Sequence, residues 1–248
     1  MSAPQPRFLG RRALVTGAAG GIGSAIVERL RADGAEVVAT DTRASDGVLA
    51  CDVSSESAVA DAFGAAAEEG ALTDVVHAAG ICRTAPIAET EMATWREVQS
   101  VNLDGTFLVA REAARKLPDG GGIVLVASVS GVACDPFFGA YCASKFGVVA
   151  LTQVLARELA NRRIRVNALC PGEVRTAMSE GTLRDDAKRL GRPVEQLREL
   201  AGADPFLGRG ADPSEVADAA GFLLSAESSY ISGHSLVING GGSISAHR

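Results

Sequence analysis

Histidine and cysteine are scarce in this chain, with three and five copies in 248 residues, and neither is arranged to hold a metal. His77, His234 and His247 are scattered without zinc spacing. Cys51, Cys82, Cys134, Cys142 and Cys170 form no C-x-x-C pair, and their odd number reads as free thiols in a reducing cytoplasm. No uninterrupted apolar run reaches the roughly 18 residues of a membrane span. The opening "MSAPQPRFLGRR" lacks the apolar centre of a secretory signal. No run of lysine or arginine stands out, and the net charge is −6, so nothing drives counterion release from nucleic acid or attraction to an anionic membrane. Internal repeats, low-complexity tracts and Pro/Gly linkers are also missing. The expectation is a cytoplasmic protein without metal, nucleic-acid partner or membrane, forming one domain over residues 1–248.

What is present is apolar and periodic. Hydrophobic residues make up 47% of the chain, enough for a large core. Buried-strand runs ("RALVTG", "AEVVATD", "GVLACDV", "LTDVVHAAG", "GGGIVLVASVSG", "RIRVNALCPG", "HSLVING") alternate with helical segments. "SESAVADAFGAAAEEG" reads as a helix capped by Ser55, and "TEMATWREVQSVNLDGTFLVAREAARKL" as one long helix. Strands separated by helices predict an α/β fold, a single domain with a parallel sheet covered by helices on both faces. Residues 176–210 are charged and irregular, as expected of a substrate lid with one or two short helices.

Two stretches carry chemistry. In "TGAAGGIG" the glycines Gly17, Gly21 and Gly23 lie between a strand and a helix. There they permit a tight turn, close approach to a pyrophosphate and close helix packing. Asp41 ends the second strand at the distance expected of an acid bonding the adenosine ribose hydroxyls. Gly20 offers nothing to a 2′-phosphate, whereas Arg43 could. In "YCASK", Tyr141 and Lys145 lie one helical turn apart and share a face. A phenol with pKa near 10 must drop by roughly three units, about 4 kcal/mol, to act as a base near neutrality. A fixed cation one turn away favours the phenolate.

In sequence order, "TGAAGGIG", Asp41, "CDV", "HAAG", "SVN", "VASVSG", "YCASK" and "CPGEVRT" make the chain resemble the short-chain dehydrogenase/reductase family over nearly its whole length. The resemblance implies a Rossmann-like doubly wound parallel sheet of about seven strands, and hydride transfer between a nicotinamide cofactor and a secondary alcohol or ketone. It implies a tetrad of Asn102, Ser128, Tyr141 and Lys145, with Ser130 as the less well spaced competitor of Ser128. Tyr141 is then the general acid–base, Lys145 its electrostatic partner and ribose ligand, Ser128 the holder of the substrate oxygen, and Asn102 the anchor of a water. The cofactor residues by motif position are Gly17, Gly20, Gly21, Ile22 and Gly23; Asp41, Asp52 and Val53; Ala78, Ala79 and Gly80; Tyr141 and Lys145; and Pro171, Gly172, Val174 and Thr176. Asp41 favours NAD over NADP. Relatives are usually homotetramers or dimers, and a homotetramer is expected, with Trp95, Val98, Val101, Phe107 and Leu108 as an apolar stripe. A cofactor-binding regulator that has lost catalysis, or an NADP-dependent ketoreductase of 3-oxoacyl thioesters, are the competing readings. Two departures stand out. "HAAG" replaces the family's N-N-A-G, leaving His77 to be a satisfied strand-end histidine, and the link from Asp41 to Asp52 has room only for a loop.

Overall fold

The computed structural model describes residues 6–203 and 205–242. Its centre is a seven-stranded, wholly parallel sheet in the order β3-β2-β1-β4-β5-β6-β7. The strands are β1 (Arg12–Thr16), β2 (Glu36–Asp41), β3 (Val48–Ala50), β4 (Asp74–His77), β5 (Gly122–Val126), β6 (Arg165–Pro171) and β7 (Ser235–Ile238). β1, β4 and β5 are buried at every residue, as their unbroken apolar runs require of strands covered on both faces. Alternation then divides the core into two layers. Leu14, Val75, Ile123 and Leu125 point into one; Val15, Val76, Val124 and Val126 point into the other.

The helices are α1 (Gly21–Ala32), α2 (Glu56–Glu68), α3 (Met92–Gln99), α4 (Gly105–Lys116), α5 (Gly139–Glu158), α6 (Ala177–Leu190), α7 (Val194–Ala203) and α8 (Pro213–Leu224). α1 and α8 pack together over one layer, while α2, α4 and α5 cover the other. Ser55 caps α2 as its sequence predicts, its hydroxyl accepting from Ala58 N at 3.3 Å. The link after Asp41 is a turn into the three residues of β3, with no helix among the described residues.

Two elements differ from the sequence expectation. The long helix is interrupted: a π-helical turn, Ser100–Asp104, joins α3 to α4. The lid is more regular than its composition implies, being built from α6, whose N-cap Thr176 accepts from Ser179 N, and α7. α5 is, by length and composition, apolar enough to cross a membrane. In this fold it is a core helix, with Val148, Thr152, Leu155 and Ala156 buried against the sheet.

Because every strand runs the same way, Thr16, Asp41, His77, Val126 and Pro171 all end at one edge. That edge is where ligands bind in open parallel sheets.

Candidate active site

The turn from β1 into α1 is folded onto itself. Gly17 has φ +68°, and a Cβ there would lie 2.5 Å from Ala79 N, so only glycine lets the turn and the loop after β4 touch. A Cβ at Gly23 would run into Gly17 O. The result is a shallow cradle of backbone between Gly17, Ala79 and the first turn of α1. Gly21 packs against the Thr176 side chain, which brings the β6 loop over the same cradle. Asp41 faces it from β2. Its Oδ2 accepts from Ala19 N at 3.0 Å, and its Oδ1 from Thr42 N at 2.8 Å. Arg43, two residues on, is exposed and has no ion-pair partner among the described residues.

Asp52 is exposed and turned back onto Ser54, while Val53 is buried under Gly105. The Val53 side chain therefore belongs to the core, and neither Asp52 nor Val53 lines the cavity described below. Ala78 and Ala79 are partly buried, with Ala78 N bonded to Thr16 O at 3.1 Å.

A cavity of about 630 Å³ runs from this cradle towards the lid. Ile22, Ala78, Gly80, Pro171, Gly172, Val174 and Thr176 line it at one end, and Ser128, Ser130, Tyr141 and Lys145 in the middle. Tyr141 and Lys145 share a face of α5, with Lys145 Nζ 5.6 Å from the Tyr141 ring centroid. Lys145 is almost wholly buried, and its Nζ donates to Val126 O at 2.9 Å. Burial lowers its ammonium to about 8, so it still carries charge at neutral pH. Burial pushes the Tyr141 phenol upward, and the Ser128 hydroxyl eases it back.

Ser128 Oγ accepts from Ser130 N at 3.1 Å, which fixes the turn Val129–Gly131 against α5. Of the two serines, Ser128 is the one beside the phenol. Asn102 sits inside the π-turn, the kind of local bulge often found at functional sites. Its Oδ1 accepts from Ile81 N at 2.8 Å, and its Nδ2 donates to Ile81 O at 2.9 Å and Ser144 Oγ at 3.1 Å. The side chain is thus committed to bracing the loop after β4 against α5. Ser144, which donates to Tyr141 O at 2.7 Å, is a supporting residue whose partners no sequence spacing reveals.

His77 also departs from expectation. Its Nδ1 pairs with Thr16 Oγ1 at 2.7 Å, but its Nε2 is buried with no partner among the described residues. Burial drives its ring down to about 3, so it is neutral. Among the described residues no group of three or more His, Cys, Asp or Glu side chains is placed to hold a metal ion.

Residues 17–243 match a family model described as enoyl-(acyl carrier protein) reductase. The chain is 38% identical to a D-threitol dehydrogenase of Mycolicibacterium smegmatis over 95% of its own length and 94% of the relative's. It is 37% identical to a galactitol 2-dehydrogenase (L-tagatose-forming) of Cereibacter sphaeroides, covering 95% and 96%. The chain belongs to the short-chain dehydrogenase/reductase family. A ligand-free aldohexose dehydrogenase of Thermoplasma acidophilum superposes with a TM-score of 0.86 at 29% identity, covering 96% of both chains. Dehydrogenases of this family are oxidoreductases that use nicotinamide cofactors, and the relatives named act on CH–OH groups. The glycine cradle, the Asp41 carboxylate and the cavity they open into fit such a dinucleotide.

Proposed function

We propose that the chain is an NAD-dependent oxidoreductase that interconverts a secondary alcohol and a ketone, with Tyr141 as general acid–base. The observation that carries this reading is the Tyr141–Lys145 pair on one face of α5, opening with Ser128 into the cavity that begins at the glycine cradle. Asp41 and the backbone of Gly17 to Gly23 hold the adenosine and pyrophosphate end; Ala78 to Gly80, Pro171, Gly172, Val174 and Thr176 line the remainder. NAD supplies the hydride acceptor and, when oxidised, a further positive charge.

The chain's own residues do the proton work. Lys145 fixes one charge beside the phenol and lowers the energy of the phenolate. Ser128 orients the substrate oxygen towards Tyr141, which takes its proton on oxidation and returns it on reduction. The relatives that oxidise polyols point to a small hydroxylated substrate. Absorbance of NADH during incubation with a panel of secondary alcohols tests the reading. We expect NAD-dependent turnover that disappears in Tyr141→Phe. Tight cofactor binding without turnover of any alcohol would instead favour a non-catalytic binding protein.

A further inference from the structure

Beyond the catalytic pair, the cavity has a wall of unusual composition. α6 presents Met178, Ser179, Thr182, Leu183 and Asp186 to it, at spacings that put them on one helical face. Beside the apolar residues that a helix ordinarily turns inward, here Met178 and Leu183, this face carries two hydroxyls and a carboxylate. No residue of α6 is fully buried.

Two carboxylates on this wall are half occupied. Glu173 follows Pro171 and Gly172 at the end of β6, and its backbone is clamped: Ala211 N donates to Glu173 O at 2.9 Å, and Arg175 N to Ala211 O at 2.9 Å. One Glu173 oxygen accepts from the Ser179 hydroxyl; the other has no donor among the described residues. Asp186 Oδ1 accepts from Arg189 Nη2 at 2.7 Å and from Thr84 Oγ1 at 3.4 Å, and its Oδ2 likewise has no donor there.

The charges around the cavity point one way. Its lining carries Asp135, Glu173 and Asp186, and its single cation among the described residues is Lys145, which is committed to Val126 O beside Tyr141. Arg189 is paired with Asp186, Arg175 with Asp212 and Arg83 with Glu97, while Arg184 and Lys188 of α6 are exposed and lie outside the lining. A carboxylate, phosphate or sulfonate on a substrate would find carboxylates in the lining and, among the described residues, no cation there but the committed Lys145. Hydroxyl groups find rigid acceptors and form short charge-assisted bonds with them.

We infer that the cavity takes a neutral polyhydroxylated substrate, whose hydroxyls remote from the reacting carbon donate to Glu173 and Asp186, and that it rejects anionic hydroxy acids by charge and 3-hydroxyacyl thioesters for want of hydroxyls beside the reacting carbon. This deepens the proposed function and rests on it. A site built around hydroxyl donors discriminates steeply against analogues that lack them, because its acceptors are then left unpaired. Burial also raises the Glu173 carboxyl, consistent with a group that gains from a donor.

The test measures kcat/KM with NAD for four-carbon tetritols, 2-butanol, 3-hydroxybutyrate, a 3-hydroxybutyryl pantetheine thioester and 1-amino-2-propanol. We expect a tetritol to exceed 2-butanol by at least about 10²-fold, and the two anion-bearing or thioester substrates to be the poorest. In Glu173→Gln, which keeps the side chain's size, the tetritol to 2-butanol ratio should fall by at least about tenfold, through KM for the tetritol. Asp186→Asn should reduce the same ratio. Thermal melting with and without NAD confirms that each variant is folded and binds cofactor. A preference for the hydroxy acid, the thioester or the amine, or a ratio unchanged in both variants, overturns this inference while leaving the oxidoreductase reading intact. No NADH from any of the alcohols, with NAD binding retained, overturns both.

Discussion

In the proposed reaction Tyr141 carries the proton, and its environment sets a clear expectation. Burial pushes the phenol upward, so the proposed chemistry relies on positive charge brought by Lys145 and by an oxidised nicotinamide. Tyr141→Phe keeps the ring and removes the proton carrier; kcat should fall by roughly 10²-fold or more, with NAD affinity by fluorescence titration little changed. Asp41 is the second such residue. Like charges about 4 Å apart cost roughly 4 kcal/mol at an effective dielectric of 20, so NADP should be at least about 10²-fold less efficient than NAD. Asp41→Ala should weaken NAD and improve NADP in the same protein, since Arg43 is left free to meet a phosphate; steady-state kinetics with both cofactors decides it. His77 sets a pH dependence of stability. Its ring titrates near 3 in the folded chain and near 6.5 unfolded, so the unfolded state binds the extra proton between those values. Stability is therefore full above about 6.5 and falls by about 1.4 kcal/mol per pH unit below it. Asp74, whose carboxyl burial raises to about 6 despite the Arg11 guanidinium beside it, acts in the opposite sense. The two offset each other between about 4 and 6. The comparison that isolates His77 is the melting temperature against pH for the chain and for His77→Asn, and parallel curves would refute it.

At the scale of elements, the site is held by contacts between segments whose meeting leaves no sequence trace. The turn Val129–Gly131 lies so close to α5 that a Cβ on Gly131 would sit 2.7 Å from Lys145 O, a backbone atom that cannot swing aside. Gly131→Ala should push α5 from the Ser128 turn. The expected cost is about 1–3 kcal/mol in stability, as for other overpacked sites, and a lower kcat from a Ser128–Tyr141 pair held apart; urea unfolding and kinetics on one preparation measure both. The glycine turn, the alternation of strands with helices and the Tyr141–Lys145 face were legible in sequence because each is a local pattern: a period, a spacing or a residue type that one backbone shape demands. The π-turn was not, because "SVNLD" keeps the apolar rhythm of a continuous helix and holds no proline, while the glycine that follows it, Gly105, is carried inside the next helix and does not read as a break. α6 and α7 were only dimly visible, since charged helices that pack mainly on loops lack the buried stripe that announces a helix. The Thr16–His77 pair and the Asn102 brace join residues 61 and 21 positions apart, and only the folded sheet brings them together.

For the whole molecule, the exposed apolar surface is uneven. Phe107 on α4 and Phe146 and Val154 on α5 are each about half exposed, whereas Val98 and Leu108 of the same predicted stripe turn inward. A face of this kind costs solubility unless another copy covers it. We expect a homotetramer assembled through α4 and α5, and sedimentation velocity giving a monomer at micromolar concentration would refute it. Motion of the molecule is governed elsewhere, by the far end of α6. Arg189 stacks 3.7 Å above the Phe137 ring and holds Asp186, which in turn reaches Thr84. Phe137 itself sits at φ +75°, a conformation rare for an aromatic residue. One arginine thus ties the lid to both loops that flank Tyr141. If departure of a bound molecule rather than bond cleavage governs turnover, deuterium on the carbinol carbon should leave kcat nearly unchanged in the native chain. In Arg189→Ala the same label should slow kcat visibly, because the exit has become the faster event.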